Sequence, residues 1–286
     1  MKAVIIGIGL IGGSLARDIR RSDPEATVLG MDISDAHLEA ARELGLIGGK
    51  ASDADLAAAD LVVVSIPVDR IVEELPSILD RVGDETLVID AGSTKAPICR
   101  EVASHPKRRN FLACHPIAGT EFTGPAAAVE GLFDGKVNII CEVEETAFAI
   151  QERALDLFRE LGMRIRYMNP EAHDRHIAYV SHLSHISSFM LGKTVIEKEK
   201  NERDIFDMAG SGFESTVRLA KSSPAMWTPI FEQNKKNVLE TLDEYIANLK
   251  EFRALLDSDQ YEALYEAMEQ TNRIREILKG IPLNKS

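Results

Sequence analysis

Positive charge is the first scarcity: 33 Lys and Arg stand against 46 Asp and Glu in 286 residues, a net charge of −13. That balance argues against a nucleic-acid or anionic-membrane surface, so an anionic ligand needs a local cluster of cations. Cysteine is scarce too. Cys99, Cys114 and Cys141 are odd in number and form no CxxC pair. This excludes a disulfide framework and a thiolate metal site, and it points to reduced, buried thiols in a cytoplasmic protein. No apolar run is long enough to cross a bilayer. Lys2 before an apolar stretch is how a signal peptide starts, but the strand and acid that follow fit a fold instead. An ordinary apolar content of 45% over this length leaves room for two domains with separate cores.

The chain is organised around its first residues. Lys2 to Ile6 is a β-branched apolar run, Gly7-Ile8-Gly9-Leu10-Ile11-Gly12 follows at once, and a helical pattern opens near Leu10. A second apolar run, Thr27 to Met31, stops at Asp32. A lone GxGxxG is a weak signal, but here the order is strand, glycine turn, helix, strand, acid. Gly7 permits the tight turn, Gly9 lets the backbone approach a pyrophosphate, and Gly12 lets helix and strand pack closely. The helix start aims free N–H groups at the phosphates. Asp32, twenty residues past Gly12, is placed to accept the ribose hydroxyls and to repel a 2′-phosphate, which favours NAD over NADP.

Further strands are expected at Leu61–Ile66, Thr86–Asp90, Phe111–Cys114, Val137–Cys141 and Met163–Tyr167, with helices between several of them. Ser34 is expected to cap the second helix, and Pro76 to kink a later one. The fold class is therefore α/β, a Rossmann-like doubly wound parallel sheet with ligands at the carboxyl ends of its strands. From Asn169 the texture becomes helical, beginning with one long helix from about Glu171 to about Lys198. Residues 1–168 are thus read as an NAD-binding domain. Residues 169–286 are read as an all-α substrate and dimerisation domain, with only the last few residues disordered. The apolar stripe through Val238, Leu239, Leu242, Ile246 and Leu249 is too apolar for one thin layer, which predicts a homodimer, with a self-contained helical bundle as the alternative.

Three polar clusters are candidates for chemistry. Ser93 and His115 both sit at strand ends, and His accepts a proton near neutral pH without tuning. A structural alternative is a His bonded to its own loop. His173, His176, His182 and His185 invite a metal reading. At about 100° per residue, however, the first pair lies roughly opposite the second on one helix, so no metal site is expected. Arg218 and Lys221 follow the small residues Gly210-Ser211-Gly212 and suit a carboxylate, Arg bidentately. The alternative is a solvated basic face.

In order, GIGLIGGS, DAGSTK, HPIAGTE, VSHLSH and GFESTVRLAKSSPAMW resemble prephenate dehydrogenase of tyrosine biosynthesis, from Met1 to about Leu278. The resemblance implies a nucleotide-binding domain followed by a helical dimer-forming domain. It implies that His115 is the catalytic base and Ser93 its polar neighbour at the substrate hydroxyl. Arg218 would hold a substrate carboxylate, His185 would face the same pocket, and Thr120 and Lys221 would complete the substrate set. NAD would lie on Gly7, Gly9, Leu10, Ile11, Gly12 and Asp32, with Ser65 and Pro67 beside it. Neither a chorismate mutase segment nor a regulatory domain is read in the chain, so tyrosine feedback through a separate domain is not expected. The substrate would be prephenate, with arogenate as the alternative. A β-hydroxy-acid dehydrogenase of similar build would use a Lys after residue 169, where Lys193 is the early candidate. A non-catalytic NAD-sensing protein has no need of His115, Ser93 and Arg218 together.

Overall fold

The computed structural model of the protein describes residues 1–202 and 204–279; the last residues of the chain, read above as disordered, lie outside the described residues. Seven strands form one sheet in the order β2-β1-β3-β4-β5-β6-β7. They are β1 (Lys2–Ile6), β2 (Thr27–Met31), β3 (Leu61–Val64), β4 (Leu87–Asp90), β5 (Phe111–Pro116), β6 (Val137–Cys141) and β7 (Arg164–Tyr167). Helices α1 (Leu10–Ser22), α2 (Asp35–Glu43), α3 (Asp53–Ala57), α4 (Val68–Arg81), α5 (Ala96–Val102) and α6 (Phe148–Glu160) lie between them. Ser34 caps α2 as expected, and Pro76 sits inside α4 without ending it.

Side chains alternate between the two faces of each strand, so both faces must be covered. Ala3, Ile5, Leu61 and Val63 join the core under α1, with Leu15 and Ile19. Val4, Val62 and Val64 join the core under α4, with Ile71, Leu75 and Ile78.

Two strands depart from the expected all-parallel sheet: β6 runs antiparallel to β5, and β7, parallel to β6, shares its reversed direction. Residues 117–136 contain one 3₁₀ turn, Pro125–Ala127, and no crossover helix to carry the chain back. The next strand therefore enters from the end that β5 has just reached. The link is instead strapped to α1, where the Ser14 hydroxyl accepts from the N–H of Val129 (2.9 Å) and Asp18 from that of Gly131 (2.8 Å).

The expected single helix after Asn169 is three pieces: α7 (Pro170–Ile177), a π-helical turn (Ala178–His182) and α8 (Leu183–Glu199). Then come α9 (Ser211–Val217), a 3₁₀ turn at Arg218–Lys221, and α10 (Pro224–Gln233). The chain divides into two compact units between Lys235 and Lys236, so α7 to α10 share a unit with the sheet. The second unit holds most of α11 (Lys235–Asp257) together with α12 (Tyr261–Thr271) and α13 (Ile274–Lys279). No described helix is long and apolar enough to cross a membrane.

The glycine turn shows which glycines the fold requires. A Cβ on Gly12 would stand 2.0 Å from the carbonyl oxygen of Gly7 and 2.3 Å from the Ser65 hydroxyl, whereas one on Gly9 would meet nothing within 4 Å. Gly12→Ala is therefore expected to destabilise the fold by about 1–3 kcal/mol, the usual cost of overpacking. Gly9→Ala should leave stability unchanged. Thermal unfolding of both variants without nucleotide checks this; equal midpoints would contradict the packing assignment.

Candidate active site

At the first corner of the sheet, α1 begins on Gly9 in an extended conformation with no side-chain cap. Its first N–H groups are thus free for an anion. The space over Gly9 is open, so backbone can approach a pyrophosphate there. Leu10 is buried and Ile11 half-buried, which leaves their backbone for that role. Asp32 follows β2 and is held by the N–H groups of Ile8 (3.0 Å) and Ser34 (2.9 Å). A carboxylate has about four acceptor positions, so capacity remains for ribose hydroxyls. Ser65 donates to the carbonyl of Gly7 (2.7 Å) and so buttresses the turn, while Pro67 starts α4 with its ring exposed. These residues fit a dinucleotide.

The ends of β4 and β5 are bolted together by a buried ion pair. Lys95 and Asp90 are both fully buried, and the ammonium bonds to the carboxylate and to the carbonyl of Cys114 (2.6 Å). Asp90 also accepts from the N–H groups of Cys114 (2.9 Å) and Gly92 (2.9 Å). Thr94 donates to Gln233 of α10 (2.6 Å). Half-buried Ser93 is therefore fixed between anchored neighbours, alongside the strand that carries His115. Removing one partner of such a pair typically costs about 3–5 kcal/mol.

His115, 8% exposed, sits near the end of β5 with its Nδ1 2.8 Å from Nε2 of His173. His173 Nδ1 lies 2.7 Å from Asp174 Oδ1. Asp174 already accepts from the backbone N–H groups of Lys95 (2.7 Å) and Ala96 (3.0 Å), so it is an acceptor toward His173 as well. His173 then carries its proton on Nδ1 and offers a lone pair at Nε2. His115 must donate from Nδ1, which leaves its own Nε2 as the basic nitrogen.

The π turn overturns the expected disposition of the other histidines. A π turn advances less per residue than the about 100° of an α-helix, so His182 swings toward the side of His173. One residue of each pair is buried, His173 at 1% and His182 at 0% exposed, while His176 is exposed. Asn234 donates to the carbonyl of Asp174 (2.6 Å) and lies 3.2 Å from Nδ1 of His182. His185 stacks on Trp227 with centroids 3.5 Å apart, and its Nδ1 donates to the carbonyl of Ser181 (2.9 Å). Among the described residues no three His, Cys, Asp or Glu side chains converge as metal ligands.

Arg218 is half exposed and pairs with Glu121 of the loop after β5 (3.2 Å). Lys221 does not share an α-helical turn with it, because α9 ends at Val217, and it faces Glu214 at 3.9 Å. The two cations therefore form separate pairs instead of one joint field. Thr120 is exposed and accepts from the N–H of Phe122 (3.2 Å). Lys193 is solvent-facing and pairs with Glu197 (3.7 Å), which removes it as a buried catalytic amine.

Burial keeps these histidines neutral. It pushes His115 well below the ordinary histidine value, and the neighbouring His173, Lys95 and His182 act the same way. His182 falls to about 4, again through burial. Burial also lowers His173, but its bond to Asp174 opposes the shift. In His185 burial and the Arg218 charge outweigh the opposing Ser181 carbonyl. Sequence reasoning missed Asp90, Lys95, Asp174, Gln233 and Asn234. A Lys five residues past a strand-ending Asp, and an Asp beside His173, were the only signals.

The family model for the prephenate dehydrogenase nucleotide-binding domain matches residues 15–167, and that for its dimerization domain matches residues 169–270. The prephenate dehydrogenase of Bacillus subtilis is 31% identical over 99% of this chain and 76% of its own length. The cyclohexadienyl dehydrogenase of Zymomonas mobilis is 32% identical over 96% of this chain and 95% of its own. Among solved structures, the prephenate dehydrogenase of Aquifex aeolicus in complex with hydroxyphenyl propionate and NAD+ superposes with a TM-score of 0.86. It is 30% identical and covers 97% of this chain and 98% of its own. With both halves matched in order and the histidine site held between them, the chain belongs to the prephenate dehydrogenase family.

Proposed function

We propose that the protein oxidises prephenate with NAD and releases CO₂, giving 4-hydroxyphenylpyruvate in tyrosine biosynthesis in the cytoplasm. The observation that carries this reading is the chain of bonds that leaves His115 neutral with its basic nitrogen at Nε2. Prephenate holds a ring hydroxyl opposite a carboxylate and a pyruvyl chain. Oxidation at the hydroxyl carbon drives out the carboxylate as CO₂, because the ring becomes aromatic. Bound on the glycine turn, NAD supplies the two-electron acceptor for the hydride. His115 takes the hydroxyl proton as the hydride leaves, and Ser93, on the loop tied to the strand of His115 through Lys95, is assigned to orient the hydroxyl. Arg218 orients the dianion, and a substrate carboxylate reaches it by replacing Glu121. Asp32 favours NAD over NADP, since a 2′-phosphate meets its charge. Arogenate, which carries an amino group on the side chain, is the alternative substrate. The similarity to a cyclohexadienyl dehydrogenase favours it.

Steady-state kinetics with both substrates test the roles. His115→Asn is expected to keep KM and lose about 10²–10⁴-fold in kcat, the usual contribution of a positioned base. Because only the neutral ring accepts a proton and burial lowers its pKa, wild-type kcat/KM should hold through the ordinary histidine value of 6.5 and fall only below it. Arg218→Ala should raise KM for prephenate by roughly ten- to a hundred-fold, the worth of a charge-assisted bond, with KM for NAD unchanged. Normal kcat in the first variant, or unchanged prephenate KM in the second, contradicts the assignment.

The helical half is proposed to pair two copies. Leu239, Leu242, Ile246, Leu249 and Leu256 recur along α11 at three-, four- and seven-residue steps, and all but half-buried Leu242 are exposed. Val238, counted in the stripe from the sequence, is buried instead. An exposed seam of this spacing suits a facing helix. Sedimentation at micromolar concentration should show a dimer that Leu249→Glu shifts toward monomer; a wild-type monomer would refute the pairing.

A further inference from the structure

His115 has a difficulty that its own position creates. It must gain a proton, yet it is buried and faces the Lys95 ammonium, His173 and His182. Its Nδ1–H, however, already points at the lone pair of His173 Nε2 across 2.8 Å. The far nitrogen of His173 donates to a carboxylate that two backbone N–H groups hold in place. We propose that the proton taken from the substrate comes to rest on His173, with His115 as the conduit and Asp174 as the counter-charge. This rests on the dehydrogenase reading above.

The step balances. The substrate O–H bond breaks and Nε2–H forms on His115, while the Nδ1–H bond of His115 breaks and Nε2–H forms on His173. The two electrons of the breaking C–H bond leave with the hydride, to the nicotinamide. One positive charge is gained, and it resides on His173. His115 ends neutral, with its hydrogen moved from Nδ1 to Nε2. Loss of CO₂ leaves the electron pair of the breaking C–C bond in the ring as a phenolate, and the reverse shift returns the proton to that oxygen before product leaves, which resets both rings.

The charges around the two rings favour this end point. His173 faces Asp174 from its own helix, His115 from β5, and Lys95 and Asp90 from the end of β4; His182 of the π turn is a further neighbour. Lys95 opposes a charge on either ring, and Asp90, its partner, favours one on His173. Asp174 separates the two cases, because it touches His173 directly and acts on His115 only through that ring. The transfer also moves the charge by one ring, 5.0 Å between centroids. An imidazolium held at His115 would attract the carboxylate that must depart as CO₂; one at His173 does so less. His173 and Asp174 are thus positioning residues that act through His115.

Nitrogen-15 NMR of histidine-labelled protein tests the inference without turnover. As pH is lowered from neutrality, the first proton taken by the pair should give an imidazolium at His173, with one bare nitrogen remaining on His115. An imidazolium at His115 with His173 neutral overturns the proposal. Kinetics give an independent readout through His173→Gln, whose side-chain carbonyl can still accept from His115 but cannot hold a proton. It should lose about 10²-fold in kcat with KM for prephenate and NAD unchanged, the lower range for proton-transfer catalysis. Its acid limb should also move to lower pH, a change that a mere spacer would not produce. Full kcat with an unmoved limb overturns the relay, and if the variant does not fold the wild-type spectrum decides. Wild-type protein that forms no NADH from prephenate contradicts the function instead, and the NMR assignment stands or falls separately.

Discussion

The carboxylate of Asp174 is the point on which the site depends. Four elements meet around this residue: the head of α5 through the N–H groups of Lys95 and Ala96, α7 itself, α10 through its capping residue Asn234, and β5 through His173 and His115. A buried carboxylate is costly unless its lone pairs are satisfied, and here backbone donors meet that cost. Among the positions they leave is an acceptor aimed at His173 Nδ1, which decides the tautomer of His173 and through it that of His115. The nitrogen that His115 offers as the proposed base is therefore set by hydrogen-bond direction, two residues away.

The neighbouring Lys95–Asp90 pair works at a different level. It is fully buried, so it holds position more than it adds stability. It ties the carboxyl end of β4 to that of β5, and with them the loop of Ser93 to the strand of His115. The ammonium also lies close enough to both histidines to disfavour their protonation, which keeps the resting site neutral. Geometry and electrostatics come from the same bond.

Much of this was legible in the sequence wherever function lies in consecutive residues. The turn from Gly7 to Gly12 and the acid at Asp32 declare themselves because strand, turn and strand follow without a break. His115 was singled out because it ends a strand, and the structure buries it there against His173. What escaped reading depends on contacts far apart in the chain. Nothing local marks the π turn at Ala178–His182, so a helix of uniform pitch put His182 on the wrong side. The reversal of β6 hides in a link long enough for a crossover helix but folded as a strap over α1. Arg218 was seen as a free cation because Glu121, its partner, lies 97 residues away. Lys95 stood in plain sight in DAGSTK, but only the fold shows that its charge is spent inside the protein.

Geometry, electrostatics and family membership converge on one oxidative decarboxylation, in which the ring gives up a hydride and CO₂ while its hydroxyl proton is held by the histidines and returned. The measurement that tests this most directly is the stoichiometry of a complete turnover of prephenate by the wild-type protein, with NADH and CO₂ counted in one reaction. One NADH and one CO₂ for each prephenate consumed is the predicted result. NADH without matching CO₂, or CO₂ without NADH, would show that His115 does not serve an oxidative decarboxylation.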